Sequence, residues 1–168
     1  VSQKIGIEEA LKTAMAAELE AQAFYSRAAS KVQDPNGRDL LGRLAAFEQY
    51  HYEKLDTLRQ SLQEAGSFVE YQTRTIEEFA PTVSSGETAG TELEDLTDPP
   101  SILIKAIENE KMAGERYRDL ALATDDPTGV AMFNDLANEE MLHQRILEDE
   151  FYSLSNTGVW GWSGMYGE

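Results

Sequence analysis

The sequence predicts an all-α protein, a four-helix bundle made of two duplicated antiparallel helix hairpins with a long crossover connection between them. Three observations lead there. The 168-residue chain matches itself without gaps at an offset of 92 residues, apolar residues recur at three-and-four spacing in four stretches, and an Asp-Pro-x-Gly turn divides each copy. Ala14, Glu18, Tyr25 and Ala29 recur as Ala106, Glu110, Tyr117 and Ala121. Asp34, Pro35 and Gly37 recur as Asp126, Pro127 and Gly129. Past the turn, Leu44, Ala45, Glu48, His51 and Leu55 recur as Leu136, Ala137, Glu140, His143 and Leu147. A chain of this length buries one real core but not two. The reading is therefore one domain over 1–155, with repeat one at about 5–65, a crossover at about 66–100 and repeat two at about 101–155. An aromatic, glycine-rich tail follows at 156–168.

The first helix carries Leu11, Ala14, Glu18, Ala21, Tyr25 and Ala28 on one stripe. In the turn after it, proline presets one backbone angle, glycine relieves steric limits and aspartate bonds nearby amides. The second helix carries Leu41, Leu44, Glu48, His51, Leu55, Leu58 and Leu62. The crossover contains Pro81, Gly86, Gly90 and Pro99-Pro100 and no sustained stripe; Phe68 to Ile76 reads equally as a strand or a further helix. A link long enough to run the length of the bundle can place the second copy parallel to the first, related by a pseudo-twofold axis. The third helix carries Leu103, Ala106, Glu110, Ala113, Tyr117 and Leu120, and the fourth Phe133, Leu136, Glu140, His143, Leu147 and Leu154. The tail, with Trp160, Trp162, Met165 and Tyr166, has no helical period; docking onto the bundle or a second copy is the plain reading, and a partner-binding tail the alternative.

Six ionisable residues, Glu18, Glu48, His51, Glu110, Glu140 and His143, stand where the stripes call for leucine. An unpaired buried carboxylate costs several kcal/mol, comparable to the stability of a small domain, so such groups must be protonated, paired or metal-bound. No Lys or Arg shares these stripes. At about 1.5 Å per residue, Glu18 lies roughly 24 Å from the turn and Glu48 and His51 roughly 17–21 Å from it, so the three face one another at one height. In Glu-x-x-His both side chains point along a single helical face. Four carboxylates and two imidazoles suit two hard-to-borderline divalent ions, the ligand inventory of di-iron carboxylate bundles. The expected cofactor is two iron ions per chain, with zinc or manganese able to compete for the same donors.

Composition narrows the function further. With 31 acidic against 14 basic residues the net charge is -17, which repels phosphate backbones and anionic lipid, so neither nucleic acid nor membrane is an expected partner. There is no cysteine, which removes disulfides, thiolate metal sites and iron–sulfur clusters. The N-terminal residues show no charged leader before an apolar stretch, and no apolar run is long enough to span a bilayer; a soluble cytoplasmic protein is the expectation.

These motifs resemble the rubrerythrin-like branch of the ferritin-like superfamily, whose helices carry Glu, Glu-x-x-His, Glu and Glu-x-x-His in that order. Ala-Met-Ala-Ala-Glu-Leu-Glu-Ala-Gln-Ala-Phe-Tyr from Ala14 and Ala-Ile-Glu-Asn-Glu-Lys-Met-Ala-Gly-Glu-Arg-Tyr from Ala106 are similar to the family's first and third helices. There the ligand is the Glu seven residues before the Tyr, which selects Glu18 over Glu20 and Glu110 over Glu108. The resemblance implies Glu48 and Glu140 as bridges, Glu18 and Glu110 as carboxylate ligands on opposite sides, and His51 and His143 as terminal ligands. It implies oxidative-stress chemistry, the reduction of peroxide or dioxygen with electrons from an external donor protein. Two features depart from it. Rubrerythrins proper add a small cysteine-bound iron domain, whereas these 168 residues contain no cysteine, and Ala113 stands where the family's third helix usually has a further Glu. Ferroxidase chemistry with iron storage or transfer, and a non-catalytic metal-stabilised bundle or interaction module, are the alternatives.

Tyr25 and Tyr117, two turns beyond Glu18 and Glu110, are second-sphere candidates able to hydrogen-bond ligand carboxylates, with core packing as the equal alternative. Tyr50 and Tyr52 read as packing or surface, and Glu20, Glu108, Glu115 and Glu139 as solvated faces. The site is expected to be nearly twofold symmetric, and a homodimer is the expected assembly.

Overall fold

The structure is a computed structural model that describes residues 2–82 and 98–164, with side chains from residue 6 onward. Four helices form the bundle: α1 (Ser2–Lys31), α2 (Pro35–Ala65), α3 (Pro99–Leu122) and α4 (Pro127–Thr157). The all-α four-helix architecture is as the sequence predicts. α1 packs along α2 and α3 along α4, and α1 also meets α3 across the bundle. None of the four helices is long and apolar enough to cross a membrane.

The two turns close in the same way. Asp34 and Asp126 are N-caps whose Oδ1 atoms accept the N–H groups of Asn36 and Gly37, and of Thr128 and Gly129, and a proline follows each cap at the first helical position. α2 and α4 also end alike, at Gly66 (φ 64°) and Gly158 (φ 71°), where a left-handed backbone favours glycine. α4 thus continues through Asn156 and Thr157, two residues past the boundary the sequence predicts for the tail. Both side chains bond back to carbonyls one turn earlier, on Tyr152 and Ser153, and Gly158 then stops the helix.

The second hairpin is inverted relative to the first, not parallel to it. One apolar cluster joins the end of α1 (Phe24, Ala28) and the start of α2 (Leu40, Leu41) to the start of α3 (Ile102, Leu103) and the end of α4 (Ile146, Leu147). The other joins Leu11 and Leu58 to Leu120 and Phe133. α2 finishes at the far end of the bundle and α3 starts at the near end. The pseudo-twofold axis therefore lies across the helices. Of the crossover, residues 67–75 are irregular and Ile76–Glu78 forms a short 3-10 helix, so the Phe68 to Ile76 stretch is neither a strand nor an α-helix. Gly86 and Gly90 lie outside the described residues.

The repeat continues past the hairpins. Phe68 and Trp160 are equivalent at the offset of 92, and each covers the turn glycine of the opposite hairpin. A Cβ built on Gly129 would lie 2.5 Å from Phe68, and one on Gly37 would lie 2.5 Å from Trp160. Trp160 and Trp162 are buried, and Trp162 Nε1 donates to Asp39 Oδ2 at 2.8 Å. The tail, to this extent, is docked on its own bundle; Met165 and Tyr166 lie outside the described residues.

Candidate metal centre

The polar residues sit between the two apolar clusters. Glu18 comes from α1, Glu48 and His51 from α2, Glu110 from α3, and Glu140 and His143 from α4, and none is more than 3% exposed. The bundle brings all six together. They form two overlapping groups, Glu18, Glu48, His51 and Glu140, and Glu48, Glu110, Glu140 and His143, with the ligand atoms of each group within 4.8 Å of one another. Glu48 and Glu140 belong to both. Because the axis runs across the bundle, each imidazole faces carboxylates from both hairpins. His51 Nδ1 is 2.9 Å from Glu140 Oε1, 3.3 Å from Glu48 Oε2 and 3.6 Å from Glu18 Oε1. His143 Nδ1 is 3.3 Å from Glu140 Oε2, 3.5 Å from Glu48 Oε1 and 3.8 Å from Glu110 Oε2.

These short approaches are not hydrogen bonds. Among the described residues, Glu48 Oε1, both Glu140 oxygens and both Nδ1 atoms are buried without a hydrogen-bond partner. Buried polar atoms are almost always satisfied, and five orphans converging on one centre are unusual. All five are oxygen or imidazole nitrogen, the donors that hard-to-borderline divalent ions take. The residues therefore fit a metal centre.

The two tyrosines cross between the hairpins. Tyr25 donates to Glu110 Oε1 at 2.5 Å and Tyr117 donates to Glu18 Oε1, so each hydroxyl holds the carboxylate of the opposite repeat. Burial, reinforced by those carboxylates, drives both phenols well above their usual pKa, so they remain donors. Burial and then the mutual repulsion of carboxylates push Glu48 well up and Glu140 up to about 8. Burial also works to raise Glu18 and Glu110, but the polar groups around them, Glu48, His51 and Tyr117 for the first and Glu140, His143 and Tyr25 for the second, outweigh it, leaving Glu18 low and Glu110 at about 2. For His51 and His143 burial acts downward, yet the surrounding carboxylates win and hold both well above the ordinary range. Without metal the site thus retains protons.

One residue assigned to a solvated face is not there. Glu20, Glu108 and Glu115 are exposed, whereas Glu139 is buried, with Oε2 at 2.7 Å from His51 Nε2. The same oxygen accepts Tyr71 O–H at 2.6 Å, and Oε1 accepts the Arg74 N–H at 3.3 Å. Glu139 follows Leu136 by three residues and precedes His143 by four, so its spacing was that of the buried stripe. Its adjacency to Glu140 hid this, because two neighbouring residues cannot share one narrow face. Here the face is wide enough to bury both. Tyr71 lies in irregular chain and gave no periodic signal. Tyr50 is half-buried against Phe47 and Phe79 and donates to the Gln72 carbonyl.

A cleft of about 410 Å³ between α1 and α3 reaches the centre, with Glu18, Glu48 and Glu110 in its wall beside Ala21, Phe24 and Ala113. Ala113, lacking a carboxylate, leaves this approach open.

Residues 2–59 match the rubrerythrin family model. The match covers α1 and most of α2, including Glu18, Glu48 and His51, and is consistent with the rubrerythrin-like, ferritin-like branch. No curated protein and no solved structure matches the chain. The rubrerythrin match and the buried Glu/His cluster together point to a metal site.

Proposed function

We propose that this chain holds two iron ions between its helices and reduces peroxide or dioxygen with electrons from an external donor protein. The observation that carries the reading is the set of five orphaned ligand atoms shared by two overlapping Glu/His groups. Glu18, Glu48, His51 and Glu140 would hold one ion, and Glu48, Glu110, Glu140 and His143 the other, with Glu48 and Glu140 common to both. Two ferrous ions, when bound, would supply two electrons, enough to cleave the O–O bond of peroxide or to take dioxygen to the peroxide level, and the donor protein would restore them. The protein's own part is to fix the ligands on helices and keep the Tyr25 and Tyr117 protons on oxygens that touch Glu110 and Glu18. The cleft beside Ala113 gives a small oxidant a route inward.

Anaerobic titration with ferrous iron, followed by peroxide or oxygen, tests this. The expected result is about two irons per chain and an absorbance change on oxidation that a reductant reverses. Fewer than two irons, or binding with no oxidation-linked absorbance, would overturn it. A ferroxidase for iron storage or transfer would use the same residues but would retain mineralised iron in a shell-forming assembly. Mass measurement separates that from the homodimer proposed here.

A further inference from the structure

The duplication makes the two ends of the centre equivalent in every proposed ligand, but not at the position preceding Glu48 and Glu140. At the offset of 92, Phe47 is the counterpart of Glu139. Both sit in α2 or α4 immediately before the Glu of Glu-x-x-His, and the crossed packing sends each toward the histidine of the opposite hairpin. Glu139 meets His51 with a carboxylate oxygen 2.7 Å from Nε2. Phe47 meets His143 with a ring, centroids 4.3 Å apart and planes at 79°. Phe47 also lies 5.0 Å from His51, so among the described residues the difference is the carboxylate: His51 Nε2 has one and His143 has none.

A carboxylate on Nε2 holds the proton there, leaves the Nδ1 lone pair free, fixes the ring's orientation and makes the nitrogen more basic. Glu139 is itself held on both oxygens, by Tyr71 O–H and Arg74 N–H, so it is a rigid acceptor. His51 Nδ1 is the atom that faces Glu18, Glu48 and Glu140. Phe47 packs against the His143 ring and, having no acceptor, does nothing for its tautomer. We infer that Glu139 is a positioning residue that makes the two metal positions unequal, the His51 end taking its ion first and more tightly.

This rests on the metal reading above, and its test is chosen to fail separately from that reading. Metal-free protein is titrated with zinc(II) against a chromophoric chelator. The wild type should fill in two steps, the first about 10–100-fold tighter than the second. Glu139→Gln should weaken the first step by a similar factor and leave the second within about twofold. In zinc-loaded wild type, proton NMR should show a downfield, slowly exchanging Nε2 proton on His51 and an ordinary one on His143. That readout stands even if the variant fails to fold. Two equal steps with matching imidazole protons would overturn the inequality while leaving the metal reading intact, as would an unchanged first step in Glu139→Gln. No zinc binding at all would overturn the metal reading and this inference together.

Discussion

Single side chains in the polar centre are arranged to be stable in one protonation pattern without metal and in another with it. In metal-free protein Glu48, Glu140, His51 and His143 all have folded pKa values above their ordinary ones, Glu140 at about 8. Such groups stabilise the fold fully below their unfolded values, 4.5 for Glu and 6.5 for His, and the contribution is lost as pH rises through the folded ones. Glu18 and Glu110 are shifted the other way, so their contribution is lost as pH falls from 4.5 toward about 2. Thermal melts in chelator should therefore show a Tm that declines as pH rises from about 4.5, where the two glutamates begin to count, past about 8, with a second decline in strong acid. Metal binding needs those protons gone, so affinity should climb over the same interval, and melts with saturating zinc should lose the alkaline decline. The tyrosine contacts predict a further effect. Tyr25→Phe leaves Glu110 without its donor and should cost the metal-free protein about 1.5–3 kcal/mol in denaturant unfolding, as should Tyr117→Phe through Glu18.

At the level of helices and turns, much was legible because local chemistry decides it. The Asp-Pro-x-Gly turns, the four stripes and the six polar anomalies each follow from spacing along one helix, and each stands in the structure where the spacing puts it. Glu139 was missed because spacing ranks faces but does not say how wide a buried face is. The orientation of the second hairpin was missed for a different reason. A self-match pairs residues within each copy, but which way the second copy points depends on where α2 ends and on a crossover with no periodicity. The close approach of Trp160 to Gly37 and of Phe68 to Gly129 carries its own prediction. A methyl at either glycine would sit 2.5 Å from an aromatic carbon, so the ring must move. Gly37→Ala and Gly129→Ala should each destabilise by about 1–3 kcal/mol in urea unfolding, despite alanine's better helix propensity.

Across the whole molecule, the axis lying across the bundle makes contacts reciprocal: Tyr25 with Glu110 and Tyr117 with Glu18, Phe68 on Gly129 and Trp160 on Gly37. Each half is completed by a piece of the other, which argues that neither hairpin folds alone and that unfolding is a single cooperative step. Trp160→Ala should cost about 3–5 kcal/mol, as for a large buried aromatic. Trp162 extends the tail's hold: its Asp39 partner is paired with Arg43 at 2.7 Å, and Arg43 donates to the Phe79 carbonyl at 2.9 Å, so one polar chain links the tail to the crossover. The chain has only two tryptophans, and both lie in that terminal segment. Excited near 295 nm, the protein's emission therefore reports on the last stretch of chain alone, whereas circular dichroism at 222 nm reports on the four helices. Comparing the two signals during one denaturant titration gives a label-free measure of whether the end of the chain lets go before the bundle does.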